Sequence, residues 1–326
     1  VIQSLDFRAL VRPVPRRSVF ALEDWYVWGG SMVRTADGVC HLLFSRWPRS
    51  LGHNAWVTHS EIAYATADDP LGPYTLRGVA LGPRGGDYWD AEVTHNPTVM
   101  EAGGRYYLYY MGTRGPGGWW DYRNHQRIGV AVADHPAGPW QRFDRPVLDV
   151  TSDAWDCLMT SNPSCTPAPD GRFLMLYKGV GAGPMPKGGA VLCGAAWAEH
   201  PCGPFAKQPG PVIVNPEHPW AVEDAYVWHQ DDRFYCIIKD YHGYFTRTGD
   251  SSLALFESRD GAEWRPAAHP LALQRTLTWE DGEVEQVANL ERPQLWLQQG
   301  RPAVLFCACD NTVGRAHSFN VHIPLV

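Results

Sequence analysis

The chain repeats itself at intervals of 66 residues, and a repeat of that length limits its possible folds more than any other feature. Trp89-Asp90-Ala-Glu-Val-Thr94-His95-Asn96-Pro97-Thr98 is echoed 66 positions later by Trp155-Asp156-Cys-Leu-Met-Thr160-Ser161-Asn162-Pro163-Ser164. Counting back by the same 66 from Asp90 reaches Asp24, in Asp24-Trp-Tyr-Val-Trp28-Gly29-Gly30-Ser31. A second element keeps the same phase. Ile62 to Tyr74, Ile128 to Trp140 and Cys193 to Phe205 all end in an Asp/Glu-x-Pro-x-Gly-Pro-aromatic turn. Two weaker copies begin at Glu223-Asp224 and Glu291-Arg292, which makes five units of about 55 to 66 residues.

Within each unit the local signals are those of strands. Gly38 to Phe44, Gly104 to Tyr110 and Gly171 to Tyr177 are short aromatic and β-branched runs, each opened by a glycine turn. Pro sets φ in the recurring turn and Gly supplies its left-handed position. No long stretch holds a 3.6-residue period, so helices should be few. A unit of this size cannot bury both faces of its own sheet, but radial packing buries them against the neighbours. A sandwich or jelly roll gives no reason for repetition in this register. The expected fold is therefore all-β, a single-domain five-bladed β-propeller over residues 1–326. Its blades fall near 21–82, 87–148, 153–214, 218–270 and 283–326. Val1 to Arg12 and the tail from Phe319 to Leu325 are expected to supply the strands that close the ring.

Composition removes several function classes. Hydrophobic residues are 44% and charged ones 19%, which fits an ordinary core and not a disordered chain. Lys and Arg number 28 against 35 Asp and Glu, so a basic grip on nucleic acid is not expected. No apolar run reaches the length of a membrane span. The eight cysteines include no CxxC pair and read as buried thiols ahead of disulfides. The chain opens Val1-Ile2-Gln3. Removal of a signal peptide would place the protein in the periplasm or outside the cell, and otherwise it is cytoplasmic. No glycine-rich segment has the βαβ context of a nucleotide loop, and no serine elbow is present.

The blade formula is a short polar motif, Pro, a Gly turn, Tyr-Tyr-Leu-Tyr-Tyr, then Ala-x-x-Asp-x-Pro-x-Gly-Pro-aromatic. It resembles the five-bladed propeller glycoside hydrolases around families 43, 32 and 117. The resemblance implies a carbohydrate substrate and carboxylate catalysis, with no cofactor required. It also allows a metal ion on the propeller axis, but no ligand cluster in the sequence points to one. In family 43 an Asp-Pro dipeptide entering the first blade supplies the general base; the matching position here is Gly30, followed by Ser31. Blades two and three carry Asn96-Pro97 and Asn162-Pro163 there, and only blade four keeps a carboxylate, Asp224.

Glycoside hydrolysis needs one protonated and one ionised carboxyl group across the scissile bond. Residues entering the innermost strands face a common funnel. Asp24, Asp90 and Asp156 share a repeated slot, which fits a structural cap as well as catalysis. Glu223-Asp224 and Glu291-Arg292 depart from the repeat, so they are the sharper functional signals. The leading expected pair is Asp224 with Asp90, followed by Glu223, Glu291 and Asp24. Substrate contacts are expected from Trp28, His95, Asn96, Asn162 and Arg292. Two insertions add to these, Trp47 to Glu61 with His53, Trp56 and Glu61, and Gly115 to Arg127 with Trp119 and Arg127. The expected function is an exo-acting, inverting glycoside hydrolase. The alternatives are a carbohydrate-binding propeller, with one equivalent pocket per blade, and a phosphorylase or transglycosylase with an anion pocket at Arg292, Lys239 and His242. The sequence leaves the oligomeric state open.

Overall fold

The computed structural model describes residues 4–220, 222–312 and 314–326. Five four-stranded antiparallel sheets form the ring. Blade one is Trp25–Arg34, Cys40–Pro48, Glu61–Ala67 and Thr75–Leu81. Blade two is Val93–Ala102, Arg105–Thr113, Arg127–Ala133 and Gln141–Arg142. Blade three is Met159–Pro167, Phe173–Val180, Val191–Ala198 and Ala206–Lys207. Blade four is Val222–Gln230, Arg233–Asp240, Ser252–Ser258 and Arg265–Gln274. Blade five is Asn289–Gln298, Arg301–Asp310 and Phe319–Pro324, completed from the chain start by Val19–Phe20. The first strand of each blade meets its counterparts around the axis.

Closure differs from expectation. The strand that pairs with the tail is Val19–Phe20, through Val19 with Val321 and Phe20 with Asn320. From Arg12 back, the chain contributes only a bridge from Val11 to Leu325, and residues 1–3 of the expected segment lie outside the described residues. Arg12-Pro13-Val14-Pro15 explains the shift, since two prolines remove ladder donors just where a strand would need them. Phe7 instead enters the core edge-on to Trp228, 6.3 Å between ring centres.

Apolar burial lies between blades, as radial packing requires. Leu43 and Ile62 of blade one meet Leu108 and Tyr110 of blade two. Tyr107 and Tyr109 meet Met175 and Tyr177 of blade three, and Leu174 and Leu176 meet Val227 and Cys236 of blade four. Leu253 and Leu255 meet Leu305 and Val321 of blade five, and Val304 and Phe306 return to Val27 and Leu42. All eight cysteines are free thiols. The recurring turn glycines Gly72, Gly138 and Gly203 have φ of 91°, 86° and 76°, each before a cis proline. Among the described residues no helix is long and apolar enough to cross a membrane.

Candidate active site

Every innermost strand is broken by a bulge at one level of the funnel, between Trp28 and Gly30, His95 and Thr98, Ser161 and Ser164, Glu223 and Tyr226, and Glu291 and Gln294. The first residue of each bulge is left-handed. These are Gly29 (φ 36°), Asn96 (51°), Asn162 (50°), Asp224 (60°) and Arg292 (52°). Asn and Asp tolerate this conformation through local polar contacts, whereas Arg there is strained. The bulge places Gly29, not Gly30, in the blade-one slot.

These side chains interlock around the axis. Asn96 Nδ2 donates to Asn162 Oδ1 at 2.8 Å, and Asn162 Nδ2 donates to Asp224 Oδ1 at 2.7 Å. Asp224 faces the Arg292 guanidinium at 3.8 Å, and Arg292 Nη2 donates to the Asn96 carbonyl at 2.9 Å. A Cβ on Gly29 would sit 2.6 Å from Arg292 Cγ, so the arginine stem fills the space that a blade-one side chain would occupy. A further contact of Nη2 with the Pro163 carbonyl brings in blade three. Arg292 therefore touches every other blade and puts a cation on the axis, so the residues at this level do not fit an axial metal ion. Among the described residues no group of three His, Cys, Asp or Glu could hold a metal ion elsewhere either.

One step above this ring stand Trp28, His95, Ser161, Glu223 and Glu291, the residues just before each bulge. Two of them are carboxylates, and each takes an ion pair from the second strand of the preceding blade. Lys178 of blade three pairs with Glu223 of blade four, and Lys239 of blade four pairs with Glu291 of blade five. Tyr241 Oη also donates to Glu223 Oε2, and Arg315 Nη2 donates to Glu291 Oε1 at 2.8 Å. Burial opposes ionisation of Glu223, but Lys178 and Tyr241 overcome it and hold the group at about 2. Glu291 is likewise lowered against burial by Lys239 and Arg315. Asp224 moves the other way. Burial, then the neighbouring Glu223 charge, raise it to about 6 despite Arg292. The site thus separates adjacent carboxyl groups into a proton holder and anions, the electrical condition for acid/base chemistry.

Blades one and two supply an aromatic wall. The first insertion contains the helix Trp56–His59 and the second forms Trp119–Asn124. They meet through Trp56 and Trp119, edge to face at 5.9 Å. Trp56 stacks on His95 at 5.0 Å, and His53 packs against Trp28 and Trp47 at 5.5 and 5.4 Å. Burial and then Arg315 lower His53 to about 4, so it is neutral at pH 7; burial and Arg292 lower His95 as well. Wall and carboxylates enclose a cavity of about 150 Å³. That is below the roughly 300–1,000 Å³ of drug-sized ligand sites, and it suits a single ring.

Of the residues expected from sequence, Asp224, Glu223, Glu291, Trp28, His53, Trp56, His95, Asn96, Trp119 and Asn162 line this cavity. Asp90 does not. It is fully buried against blade two, where Tyr110 Oη donates to Oδ2 at 2.7 Å and Arg142 Nη1 at 3.2 Å. Asp156 repeats the arrangement with Tyr177 at 3.0 Å and Lys207 at 2.6 Å. The repeated aspartate is thus a blade anchor, so the pairing of Asp224 with Asp90 fails on geometry. Asp24 is exposed ahead of its strand, outside the cavity. Arg292 is sealed below the floor rather than facing substrate. Glu61 is held by Arg46 at 2.8 Å and Arg127 by Asp149 at 2.7 Å, both away from the cavity.

Trp47 and Arg123 line it from within the two insertions expected to add contacts, while Lys178, Tyr241, Arg315 and Trp220 complete the lining and are not among the residues expected from sequence. Two of the cations at the site carry a readable signal. Lys178 and Lys239 are lone charges ending the apolar runs Phe173-Leu-Met-Leu-Tyr177 and Phe234-Tyr-Cys-Ile-Ile238.

No protein-family model matches the chain, and no curated protein matches it. Solved structures do. One described as a glycoside hydrolase superposes with a TM-score of 0.72 at 15% identity, covering 97% of this chain and 92% of its own length. Zg3597, a family 117 glycoside hydrolase from Zobellia galactanivorans, gives 0.65 at 17% identity over 97% and 89%. An endo-arabinase from Bacteroides thetaiotaomicron gives 0.62 at 13% identity over 96% and 97%. The chain is thus a five-bladed β-propeller of the architecture seen in these proteins.

Proposed function

We propose that this protein is an exo-acting glycoside hydrolase, and the observation that carries the reading is the separation of Asp224 from Glu223 and Glu291 inside one ring-sized cavity. Asp224, held up to about 6 by burial and Glu223, is the proton donor to the leaving oxygen. Glu291 is the ionised partner. Both oxygens of Glu223 are engaged, by Lys178 and Tyr241, whereas among the described residues Glu291 Oε2 has only Arg315 Nη1 at 3.5 Å. It is the freest carboxylate oxygen of the two glutamates and can accept a proton from water in an inverting displacement. Lys178 and Lys239 keep the two glutamates ionised. The aromatic wall stacks the apolar face of the sugar, and Asn96 and Asn162 hold the floor. Closure of the cavity by the two short helices favours a terminal sugar over an internal one.

The structural relatives include glycoside hydrolases and an endo-arabinase by their descriptions, which supports carbohydrate chemistry on this scaffold. Each blade contributes a different residue to this cavity, Trp28, His95, Asn162, Glu223 and Glu291 in turn, which speaks against a lectin-like module with one equivalent pocket per blade. A screen of aryl-glycosides and oligosaccharides with the wild type, Asp224→Asn, Glu291→Gln and Asp90→Asn tests the assignment. Turnover is expected for the wild type and for folded Asp90→Asn, and not for the other two. Full activity in both Asp224→Asn and Glu291→Gln removes the mechanism. NMR of the first anomer released checks inversion; retention reassigns Glu291 as a nucleophile.

A further inference from the structure

Each carboxylate of the cavity has its own cation, and one cation is left over. Glu223 is paired with Lys178, Asp224 with Arg292, and Glu291 with Lys239 and Arg315. Arg123 also lines the cavity, yet among the described residues no carboxylate lies within ion-pair distance of it. Its residue exposure is 2%. Nη1 donates to Asn124 Oδ1 at 2.9 Å and to the Lys187 carbonyl at 2.8 Å, while Nη2 has no partner. The guanidinium lies 5.3 Å from the ring centre of Trp220, another wall of the cavity.

Glu223 acts on Arg123 from beyond ion-pair distance but is already engaged by Lys178 and Tyr241, and a buried guanidinium so weakly compensated is costly unless something arrives to meet it. Counting the groups beside the cavity as well as those lining it, four carboxylates, Glu223, Asp224, Glu291 and Asp310, stand against five cations, Lys178, Lys239, Arg123, Arg292 and Arg315, which leaves one positive charge over before substrate binds. His53 and His95 are neutral and do not change that balance. A neutral sugar would leave the surplus buried and uncompensated.

We propose that the sugar taken by this cavity carries an anionic group, a uronate carboxylate or a sulfate ester, and that Arg123 is the residue that selects it. The inference rests on reading the cavity as a sugar site and adds the class of sugar. Arg suits the task because its planar fork matches either anion and its charge survives burial.

Calorimetric titration of the full chain with galacturonate, glucuronate, galactose 6-sulfate, galactose, glucose and inorganic phosphate tests it. Anionic sugars are expected to bind at least about tenfold tighter than neutral counterparts, with the margin shrinking as salt rises. Arg123→Gln should bring that ratio towards one, and Arg123→Lys should keep most of it. Preference for the sulfated or for the carboxylated sugars identifies the anion, and either supports the proposal. Equal binding of neutral and anionic sugars by the wild type overturns it, and that comparison needs no variant to fold. An unchanged ratio in folded Arg123→Gln overturns Arg123 as the reader. Phosphate-dependent cleavage of neutral glycosides also overturns it, because the anion is then a co-substrate. Anion preference without hydrolysis of any glycoside would sustain this inference while the hydrolase reading fell; hydrolysis without preference would do the reverse.

Discussion

The two sides of the funnel are built on the same strand, bulge and strand, yet they are held by opposite physics. In blades one and two the residues before the bulge are Trp28 and His95, locked by ring contacts with Trp47, His53 and Trp56. In blades four and five they are Glu223 and Glu291, locked by lysines from the preceding blade. Packing on the first side is short-ranged and holds its histidines neutral, His53 until pH falls to about 4. On the second, every charge is buried and depends on a partner, so its protonation can be tuned and broken. A repeated backbone therefore supplies equivalent positions, and their occupants divide the labour between holding a ring and moving protons.

The comparison breaks most sharply on the charged side. Asp224→Asn should lower kcat by about 10²–10⁴-fold, the usual weight of a general acid. The wild-type rate should fall as pH rises through about 6, where Asp224 loses its proton, and the variant should lose that alkaline limb. A pH profile unchanged in Asp224→Asn would assign the proton to another group.

Lys178→Met removes a partner from a buried anion and should cost about 3 kcal/mol at pH 7 by urea denaturation. Glu223 has its folded value lowered to about 2 from an ordinary 4.5, so its contribution is full above pH 4.5 and is lost as pH falls through about 2. The gap between wild type and variant should accordingly close in acid. A gap that persists at low pH would point to packing by the lysine stem instead.

At the junction of the two sides, Gly29→Ala should lose about 2 kcal/mol, because the methyl group meets Arg292 Cγ at 2.6 Å and φ is 36°. A melting temperature at or above the wild-type value would show that the arginine stem does not fill that slot. The smallest effect belongs to the aromatic rim. Trp119→Ala should raise KM about fivefold with a smaller change in kcat, as expected for one stacking face; a loss mainly in kcat would instead give the rim a part in the chemistry.

Much of the site is legible in the amino-acid sequence. Glu223, Asp224 and Glu291 stand out by breaking the repeat, because a residue needed for blade packing should recur in each blade. The same logic explains why Asp90 misleads. It recurs as Asp156, and recurrence here means an anchor under Tyr110 or Tyr177, not a catalytic group. Counting along the repeat reaches Gly30, one residue too far, because Trp28 follows Asp24 by four residues where His95 follows Asp90 by five, a shortening before the bulge that a fixed period does not reveal. Arg292 is conspicuous in the sequence, yet its position does not tell whether a long side chain points up the funnel or across its floor.

The period, the glycine turns and the apolar runs settle the blades, because strands and turns answer to residues a few positions away. Which charge meets which is decided only by closing the ring. Lys178 reaches Glu223, and Lys239 reaches Glu291, because the second strand of one blade lies against the inner strand of the next. Those contacts between blades decide which carboxyl group keeps its proton. Arg123 is left without a contacting carboxylate for the same reason: pairing over such distances is a property of three-dimensional neighbours, and the linear order of the residues does not encode it.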